Sequence, residues 1–573
     1  MTAASPAYLH GWSFCAPAGE VCAATPEEVV PALMSLEQQV ASGLHAAGFI
    51  SYEAAGALNG DLATRAPGKL PLLWFGLYRN RSRTPLPSQS SPFHCGDWRQ
   101  TLDAEAFDRG VRTIRELIAA GDCYQVNFTL RQRFSFRGCP RSFFSELSRS
   151  QPTPYGCYIE TGNFRILSAS PELFFSLSDG VITTRPMKGT APRGRWPDED
   201  RVRMRGLKES PKELAENLMI VDLLRNDLGM VSETGSVRVA SLFDVESHPT
   251  VHQMTSTIEG RLREGVGTLE LLRALFPCGS VTGAPKKRSM EIIAQLEEEP
   301  RGLYTGCIGY LSPGGEAKFS VAIRTTVLDL ASGDGEIGVG SGITYDSCAV
   351  EEYRESLSKA RFARELVPEF QLIESLLYDG EYFLLERHLE RLARSAAHFS
   401  FALQPDAARR ALEETAAGLA AGGSYKVRLL LSRDGRIACE AAPIEAVAAE
   451  ANVGFASARV DSDDTLLYHK TTLRDRYRDE LAAQPELDEV IFENERGEVA
   501  EGANSNLVAR IEGRYLTPPM ASGLLPGTFR EELIAQGKIE ERVLTRADLE
   551  GAEALFLVNS VRKWRRAALA SKK

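Results

Sequence analysis

The proline at position 368 most constrains how this chain can fold. It directly follows Glu351–Val367, where apolar residues recur at helical spacing, and a helix does not run on through a proline. From Gln371 the pattern changes to a strand, a turn at Asp379-Gly380, a second strand and a helix from Glu386 to His398. A chain of 573 residues is also too long for one hydrophobic core. Two domains, 1–368 and 369–573, are therefore expected. Before the break, strand-like runs at 123–134, 155–160, 164–168, 172–177, 303–311 and 319–329 mix with helix-like runs at 104–120, 211–228, 286–297 and 351–366. That mixture predicts an α+β domain. The Pro/Ser-rich stretch 80–100 reads as an exposed loop within it.

Composition excludes several classes of function. The net charge of −11 is spread without long blocks, which disfavours nucleic-acid binding. Ten cysteines occur with no C-x-x-C pair, the nearest two being Cys15 and Cys22. A reducing cytoplasm fits that usage better than a disulfide framework or a zinc site. Met1–Glu20 lacks the basic start and apolar core of a signal peptide, and no apolar run is long enough to span a membrane. A cytoplasmic protein bound to neither membrane nor nucleic acid is expected.

Candidate chemistry starts with Arg185-Pro186-Met187-Lys188-Gly189-Thr190-Ala191-Pro192, which reads as a tight turn bounded by Pro and Gly. A lysine beside a turn is ordinarily a solvated charge, but a desolvated one is a nucleophile. Glu213 and Glu216 are neighbours on one helix face, and Glu352 and Glu355 on another, with Lys359 four residues further on. Either pair alone is an ordinary solvated face. Together they suit Mg²⁺, which needs only a few carboxylates besides water and ligand oxygens.

The octapeptide resembles the signature of the chorismate-utilising enzymes, Pro-Ile-Ala-Gly-Thr-x-Pro-Arg. Leu218–Leu228, Gly279-Ser-Val-Thr-Gly-Ala-Pro-Lys286, Gly340-Ser-Gly-Ile-Thr-Tyr-Asp-Ser347 and Ser170-Pro-Glu-Leu-Phe174 also resemble blocks of that family, in the family's order. The lysine in place of the usual alanine is the mark of its aminodeoxychorismate-forming branch. The resemblance implies a large chorismate-binding α/β-sandwich domain in which Lys188 attacks ring carbon C2. Glu172 would be the general acid for the C4 hydroxyl. Glu216, Glu352 and Glu355 would ligate Mg²⁺, with Glu213 outside them. Arg324 and Tyr310 would hold the enolpyruvyl carboxylate. His252 and Thr282 would line the ring site, the amides of Gly283 and Gly342 would approach an anion, and Lys359 would lie beside the ring carboxylate.

The later text carries a second resemblance. Tyr468-His-Lys470-Thr-Thr472, Asn494–Val508 with Glu501 inside it, Leu516-Thr-Pro-Pro519 and Gly523-Leu-Leu-Pro-Gly-Thr-Phe-Arg530 are similar to blocks of the fold-type IV pyridoxal-phosphate enzymes. That family includes branched-chain and D-amino-acid aminotransferases and aminodeoxychorismate lyase. The match starts near Leu372, so the domain is a shortened one. It implies that Lys470 forms the Schiff base with pyridoxal 5'-phosphate and that Glu501 pairs with the pyridine nitrogen. Arg391, the amides of Gly527 and Thr528, and Ser560 would hold the phosphate.

The two resemblances explain each other. The first implies formation of 4-amino-4-deoxychorismate from chorismate and ammonia, and the second implies loss of pyruvate from it to give 4-aminobenzoate, a folate precursor. Ammonia would come from a separate glutamine amidotransferase, and a homodimer through the C-terminal domain is expected. The alternative is an anthranilate synthase component fused to an aminotransferase-like domain.

Overall fold

The computed structural model describes residues 6–86, 91–248, 251–366 and 368–570. The chain separates into two compact units. One comprises Met1–Pro192 and Met204–Val367, the other Arg193–Arg203 and Pro368–Lys573. The short segment Arg193–Arg203 thus packs with the C-terminal residues, where a division at a single point in the sequence cannot put it. Among the described residues no helix is long and apolar enough to cross a membrane.

The first unit is built on antiparallel pairing. Its longest ladder joins Gln125–Gly138 to Asp334–Ile343, with Asn127 opposite Gly342. Helices Pro26–Ala41, Pro211–Gly229 and Thr268–Leu275 turn apolar sides into one core that includes Leu33, Ile220, Leu224 and Leu272. Helices Ala104–Ala119, Pro140–Ser150 and Lys286–Leu296 bury Phe107, Phe143 and Ile292 in another. Ser210 caps the helix that carries Glu213 and Glu216: its hydroxyl accepts from the Glu213 N–H at 3.4 Å, and Pro211 occupies the first turn.

Several expected boundaries differ. The run 319–329 is two strands, Glu316–Val321 and Thr325–Asp329, broken at Arg324, whose φ of +48° is foreign to a strand. The helix expected over 351–366 stops at Ser358, a separate short one runs over Arg361–Arg364, and Val367 lies outside the described residues. Stretch 80–100 is not all loop, because strands run to Ser82 and from Phe93, while 87–90 lie outside the described residues.

The second unit holds a three-stranded antiparallel sheet of Leu372–Tyr378, Tyr425–Leu431 and Ile437–Pro443. Helices Leu385–Phe399 and Ala407–Ala417 share a core with it through Leu392 and Leu412. An eight-stranded sheet of mixed direction runs from Val499–Gly502 at one edge to Glu540–Glu541 at the other.

One buried ion pair fixes the backbone beneath the first unit's candidate site. Arg301 donates to Glu297 Oε1 and Oε2 at 2.7 and 2.9 Å, to the Val281 carbonyl at 3.0 Å and to the Asn127 carbonyl at 2.7 Å. Both charged side chains are buried. Truncating one partner leaves the other charge buried and unpaired, which costs about 3–5 kcal/mol. Arg301→Ala should therefore lower the unfolding free energy of the first unit by an amount of that order, and with it the denaturant midpoint, while the second unit's transition stays in place. Unfolding followed separately by tryptophans of each unit checks this.

Candidate active sites

Lys188 lies on strand Met187–Pro192, not in the tight turn expected from its flanking Pro and Gly. Met187 pairs with Thr255 and Thr190 with Gln253, so one extra residue is inserted opposite a regular neighbour. This is a β-bulge, and it re-aims the side chain beside it. Gly189 makes the bulge possible: its φ is +93°, and a Cβ there would stand 3.2 Å from Met254 Cβ and 3.1 Å from Glu213 Oε2. The backbone carbonyl of Lys188 accepts from Asn217 Nδ2 at 3.1 Å, and Asn217 Oδ1 accepts from Ser256 at 2.6 Å.

The amine reaches the strand Asp334–Ile343. A Cβ built on Gly342 would stand 2.7 Å from Lys188 Nζ and 1.9 Å from Gln125 Nε2, so only glycine admits both groups. Burial is the main cause of a lowered Lys188 pKa. The Lys359 ammonium adds to that lowering, while Glu216, Glu172 and Glu355 oppose it. Lys359 donates to the Gly340 carbonyl at 2.9 Å and to Glu355 at 2.8 Å. Lys188, Glu172, Glu216, Glu355, Lys359 and Gly342 are therefore brought together.

Glu172 is buried and set by its own turn. Its N–H donates to Ser170 Oγ at 3.3 Å, and Ser170 donates to the Val321 carbonyl at 2.6 Å. Desolvation pushes its carboxyl up to about 7, against the opposing pull of the Ser280 hydroxyl, which donates to it at 2.6 Å, and of Lys188. A carboxyl so placed can hold a proton near neutrality.

His252, buried on strand Val251–Arg261, shares a hydrogen bond of 2.9 Å with Ser247. Thr282 donates to the Cys278 carbonyl at 3.2 Å, and its own carbonyl accepts from the Asn127 N–H at 2.8 Å. A Cβ on Gly283 would meet the Gln125 carbonyl at 2.2 Å, so this turn also requires glycine. Arg324 is half-buried, and desolvation lowers its pKa to about 10. Its partner is the neutral amide oxygen of Gln151, and no carboxylate among the described residues is paired with it. A half-buried guanidinium without a counter-ion is a ready site for a carboxylate ligand.

Tyr310 does not join these residues. Its hydroxyl donates to Glu316 at 2.8 Å, and its ring packs on Phe14 and beneath the Arg81 guanidinium. Its place in the strand Cys307–Ser312 turns it into the cluster of His10, Phe14 and Arg81, so the expected role with Arg324 is not supported. Two residues missed in the sequence, Gln125 and Gln151, do belong. Each leaves one buried amide atom without a hydrogen-bond partner, Oε1 of Gln125 and Nε2 of Gln151. Neither carries a charge or a spacing that would have singled it out.

The four glutamates form no closed cage: among the described residues no three His, Cys, Asp or Glu side chains converge as a metal site. Glu352 accepts from Ser347 at 2.8 Å and Glu355 from Lys359. Glu213 is nonetheless pushed up by burial and then by its like-charged neighbours Glu216 and Glu355. That surplus of carboxylate oxygens fits a hard cation that keeps most of its shell for water and ligand.

In the second unit Lys470 is held from its backbone outward. Its carbonyl accepts from the Ile373 N–H at 2.9 Å, and Thr471 pairs with Leu372. Burial lowers the amine to about 7, aided by Arg474 and Arg391 and opposed by Glu374 and Glu501. Glu501 is buried with Oε1 accepting from Tyr477 at 2.8 Å and Oε2 from the Leu525 N–H at 3.0 Å. The Arg474 guanidinium lies 4.2 Å over the Tyr477 ring. Arg391 donates to Glu374 at 2.6 and 3.0 Å and to the Pro526 carbonyl at 3.0 Å, which places it beside the turn that opens helix Thr528–Ala535. Although burial works against it, the Arg391 and His388 neighbours hold Glu374 down to about 2. Thr528 Oγ1 lies 3.1 Å from His388 Nε2, and Gly527 caps the helix with no room for a Cβ, which would meet Asn506 Oδ1 at 2.0 Å. Ser560 donates to the Ser375 carbonyl at 3.1 Å. An amine depleted of its proton, a buried carboxylate and a helix N-terminus beside an arginine are the donor set that pyridoxal phosphate requires.

Comparison with known proteins covers both parts of the chain. The chain is 45% identical over 262 residues to aminodeoxychorismate synthase component 1 of Klebsiella aerogenes, covering 46% of this chain and 58% of that one. It is 41% identical over 265 residues to anthranilate synthase component 1 of Aquifex aeolicus, covering 46% of this chain and 53% of the other. It thus spans little more than half the length of these curated relatives. Anthranilate synthase component I of Streptococcus pneumoniae superposes with a TM-score of 0.56 at 27% identity, over 63% of this chain and 92% of that one. The amino-transferase class IV family model matches residues 371–569, and the C-terminal part has that fold. The chorismate binding enzyme model matches residues 18–365, more than half of the sequence, and the chain belongs to that family.

Proposed function

We propose that the protein converts chorismate and ammonia to 4-amino-4-deoxychorismate and then removes pyruvate to leave 4-aminobenzoate, a precursor of folate. The observation that carries this reading is the placement of the Lys188 amine against Gly342, within the field of a buried, protonatable Glu172. In the first step Lys188 attacks ring carbon C2, the ring double bonds shift, and the C4 hydroxyl leaves as water with a proton from Glu172. Ammonia then attacks C4, and the C2–nitrogen bond breaks to release Lys188. Arg324, oriented by Gln151, binds a substrate carboxylate. Glu216, Glu352 and Glu355 would hold Mg²⁺, with Glu213 outside them, and the ion would neutralise the second carboxylate. A separate glutamine amidotransferase supplies ammonia in this reading, and a homodimer through the C-terminal part follows from its resemblance to fold-type IV enzymes.

In the second unit Lys470 would hold pyridoxal phosphate, with Glu501 at the pyridine nitrogen and Arg391, Gly527, Thr528 and Ser560 around the phosphate. That group, when bound, withdraws electrons from the carbon bearing the substrate amine. Lys470, half of it free of its proton near pH 7, would take the C4 proton; the C3–oxygen bond breaks, the ring becomes aromatic, and the departing enolpyruvate takes up a proton to become pyruvate.

Product analysis with chorismate, Mg²⁺, ammonium and pyridoxal phosphate tests the whole reading. Wild type should give 4-aminobenzoate and pyruvate, Lys188→Ala neither, and Lys470→Ala 4-amino-4-deoxychorismate. Anthranilate from the wild type would instead favour the activity of the Aquifex relative. The pH profile separates the roles. Glu172 acts in its protonated form, so the first step should fall as pH rises through about 7. Lys188 acts as the free amine, so the same step should also fall toward acid. Glu172→Gln should cost about 10²–10⁴ in rate and abolish the alkaline limb. Lys470 must likewise be free of its proton to react. Its attachment to pyridoxal phosphate, trapped with borohydride and located by peptide mass, should be half-maximal near pH 7. A half-point above pH 9 would show an ordinary solvated lysine.

A further inference from the structure

We propose that Arg193–Arg203 is a positioning element for the Lys470 segment, with Arg193 and Trp196 its two points of action. The proposal rests on the reading of Lys470 as the reactive amine of the second unit.

The segment belongs to the second unit although its sequence lies far upstream. It is first made rigid by one carboxylate. Arg193 Nε and Nη2 each donate to Asp200 at 2.8 Å, and the Gly194 N–H donates to the same carboxylate at 2.7 Å. The Asp200 N–H returns to the Trp196 carbonyl at 2.9 Å, closing a loop. A bidentate pair of this kind fixes the plane of the guanidinium.

The other side of that guanidinium reaches the end of helix Leu385–Phe399. Nη1 donates to the His398 carbonyl at 3.3 Å and Nη2 to His398 Nδ1 at 3.1 Å. The His398 ring lies 4.5 Å from the His469 ring, and Phe399 meets His469 edge-on at 4.7 Å. Ser395 Oγ takes His469 Nδ1 at 2.9 Å, while His469 Nε2 is buried with no hydrogen-bond partner. A buried polar atom left unmet is costly, and the surrounding contacts must hold the ring there. His469 immediately precedes Lys470.

The rest of the segment grips the residue before that. Trp196 packs on Tyr468 with ring centroids 5.1 Å apart. Arg195 Nη1 donates to the Ser462 carbonyl at 3.1 Å and to Asp463 at 3.0 Å, and Tyr468 itself donates to the Ser462 carbonyl at 2.7 Å. Tyr468 ends the 3₁₀ turn Thr465–Tyr468, and His469 leaves it in an extended conformation. Holding both side chains therefore fixes the direction of the chain entering Lys470. On the far side of Lys470, Ile373 and Leu372 hold the chain through the backbone. The charged groups facing the amine, Arg474, Arg391, Glu374 and Glu501, then act at fixed distances.

A tie that served stability alone would leave the amine's proton affinity unchanged in folded variants. The test is the titration of Lys470 in full-length protein without pyridoxal phosphate, read by trace acylation and peptide mass. Arg193→Ala and Trp196→Ala should move the half-point toward the ordinary lysine value by about one pH unit or more, as solvent reaches the amine. Trp196→Phe, which keeps a ring on Tyr468, should restore the wild-type half-point. Asp200→Asn keeps the side-chain shape while freeing Arg193, and should shift the half-point in the same direction. Unchanged half-points in folded Arg193→Ala, Trp196→Ala and Asp200→Asn proteins would overturn the proposal. Because this readout needs no cofactor, it stands apart from borohydride trapping, whose failure in the wild type would count against the reading of Lys470 instead.

Discussion

Taking an ammonium group out of water is the constraint that both units answer. Burial alone drives an amine toward its neutral form, and the charges left around it then set how far. Around Lys470 the carboxylates that oppose this change are largely committed elsewhere. Glu374 is taken up by Arg391 and His388, and Glu501 by Tyr477 and the Leu525 N–H. The cations Arg474 and Arg391 therefore act with burial. Around Lys188 the balance differs, because Glu216 is the strongest counterweight and Lys359 the main ally of burial. The same physical device thus yields two amines with separate surroundings. One lies beside a carboxyl able to hold a proton, the other among Arg474, Arg391, Glu374 and Glu501.

Neither amine could be held so without backbone that has little freedom. Lys188 depends on an inserted residue and on Gly189, whose conformation other residues adopt only with strain. Gly342 opposite it leaves room for two side-chain nitrogens where a methyl group would collide with both. Lys470 depends instead on contacts from outside its own stretch: strand Leu372–Tyr378 on one side and Arg193–Arg203 on the other. That difference follows from local structure. A bulged strand is fixed by its ladder, whereas the irregular chain at 462–470 has few ladder bonds and must be fixed through its side chains.

The parts legible in the sequence were those set by local pattern. Helical periodicity placed Ala104–Ala119, Pro211–Gly229 and Lys286–Leu296 to within a residue or so. The spacing of Glu213 and Glu216, and of Glu352 and Glu355, put each pair on one helix face. What the sequence hid were outcomes of long-range packing. The Pro and Gly flanking Lys188 suggest a turn, yet pairing with Val251–Arg261 makes it a bulged strand. Tyr310 reads as a ligand-binding hydroxyl, but strand alternation turns it toward Glu316 and Arg81. Gln125 and Gln151 carry no charge and no motif; they matter because folding buries an amide atom of each without a partner. The attachment of Arg193–Arg203 to the second unit has no local signature, since hydrogen bonds from Arg193 to His398 and from Arg195 to Ser462 and Asp463, and the packing of Trp196 on Tyr468, create it.

The charges of the first unit also explain why the proposed substrate needs two modes of recognition. Arg324 is a half-buried cation paired with an amide and with no carboxylate among the described residues, so a ligand carboxylate can neutralise it directly. Glu213, Glu216 and Glu355 form the opposite case, a set of carboxylates close enough to raise the proton affinity of one member. A second ligand carboxylate brought to that set would be repelled unless a cation stood between them. Lys359 cannot fill that place alone, because it is held by Glu355 and the Gly340 carbonyl. A divalent ion, as proposed for this site, would resolve the repulsion, and the same ion would remove the like-charge penalty that Glu213 bears.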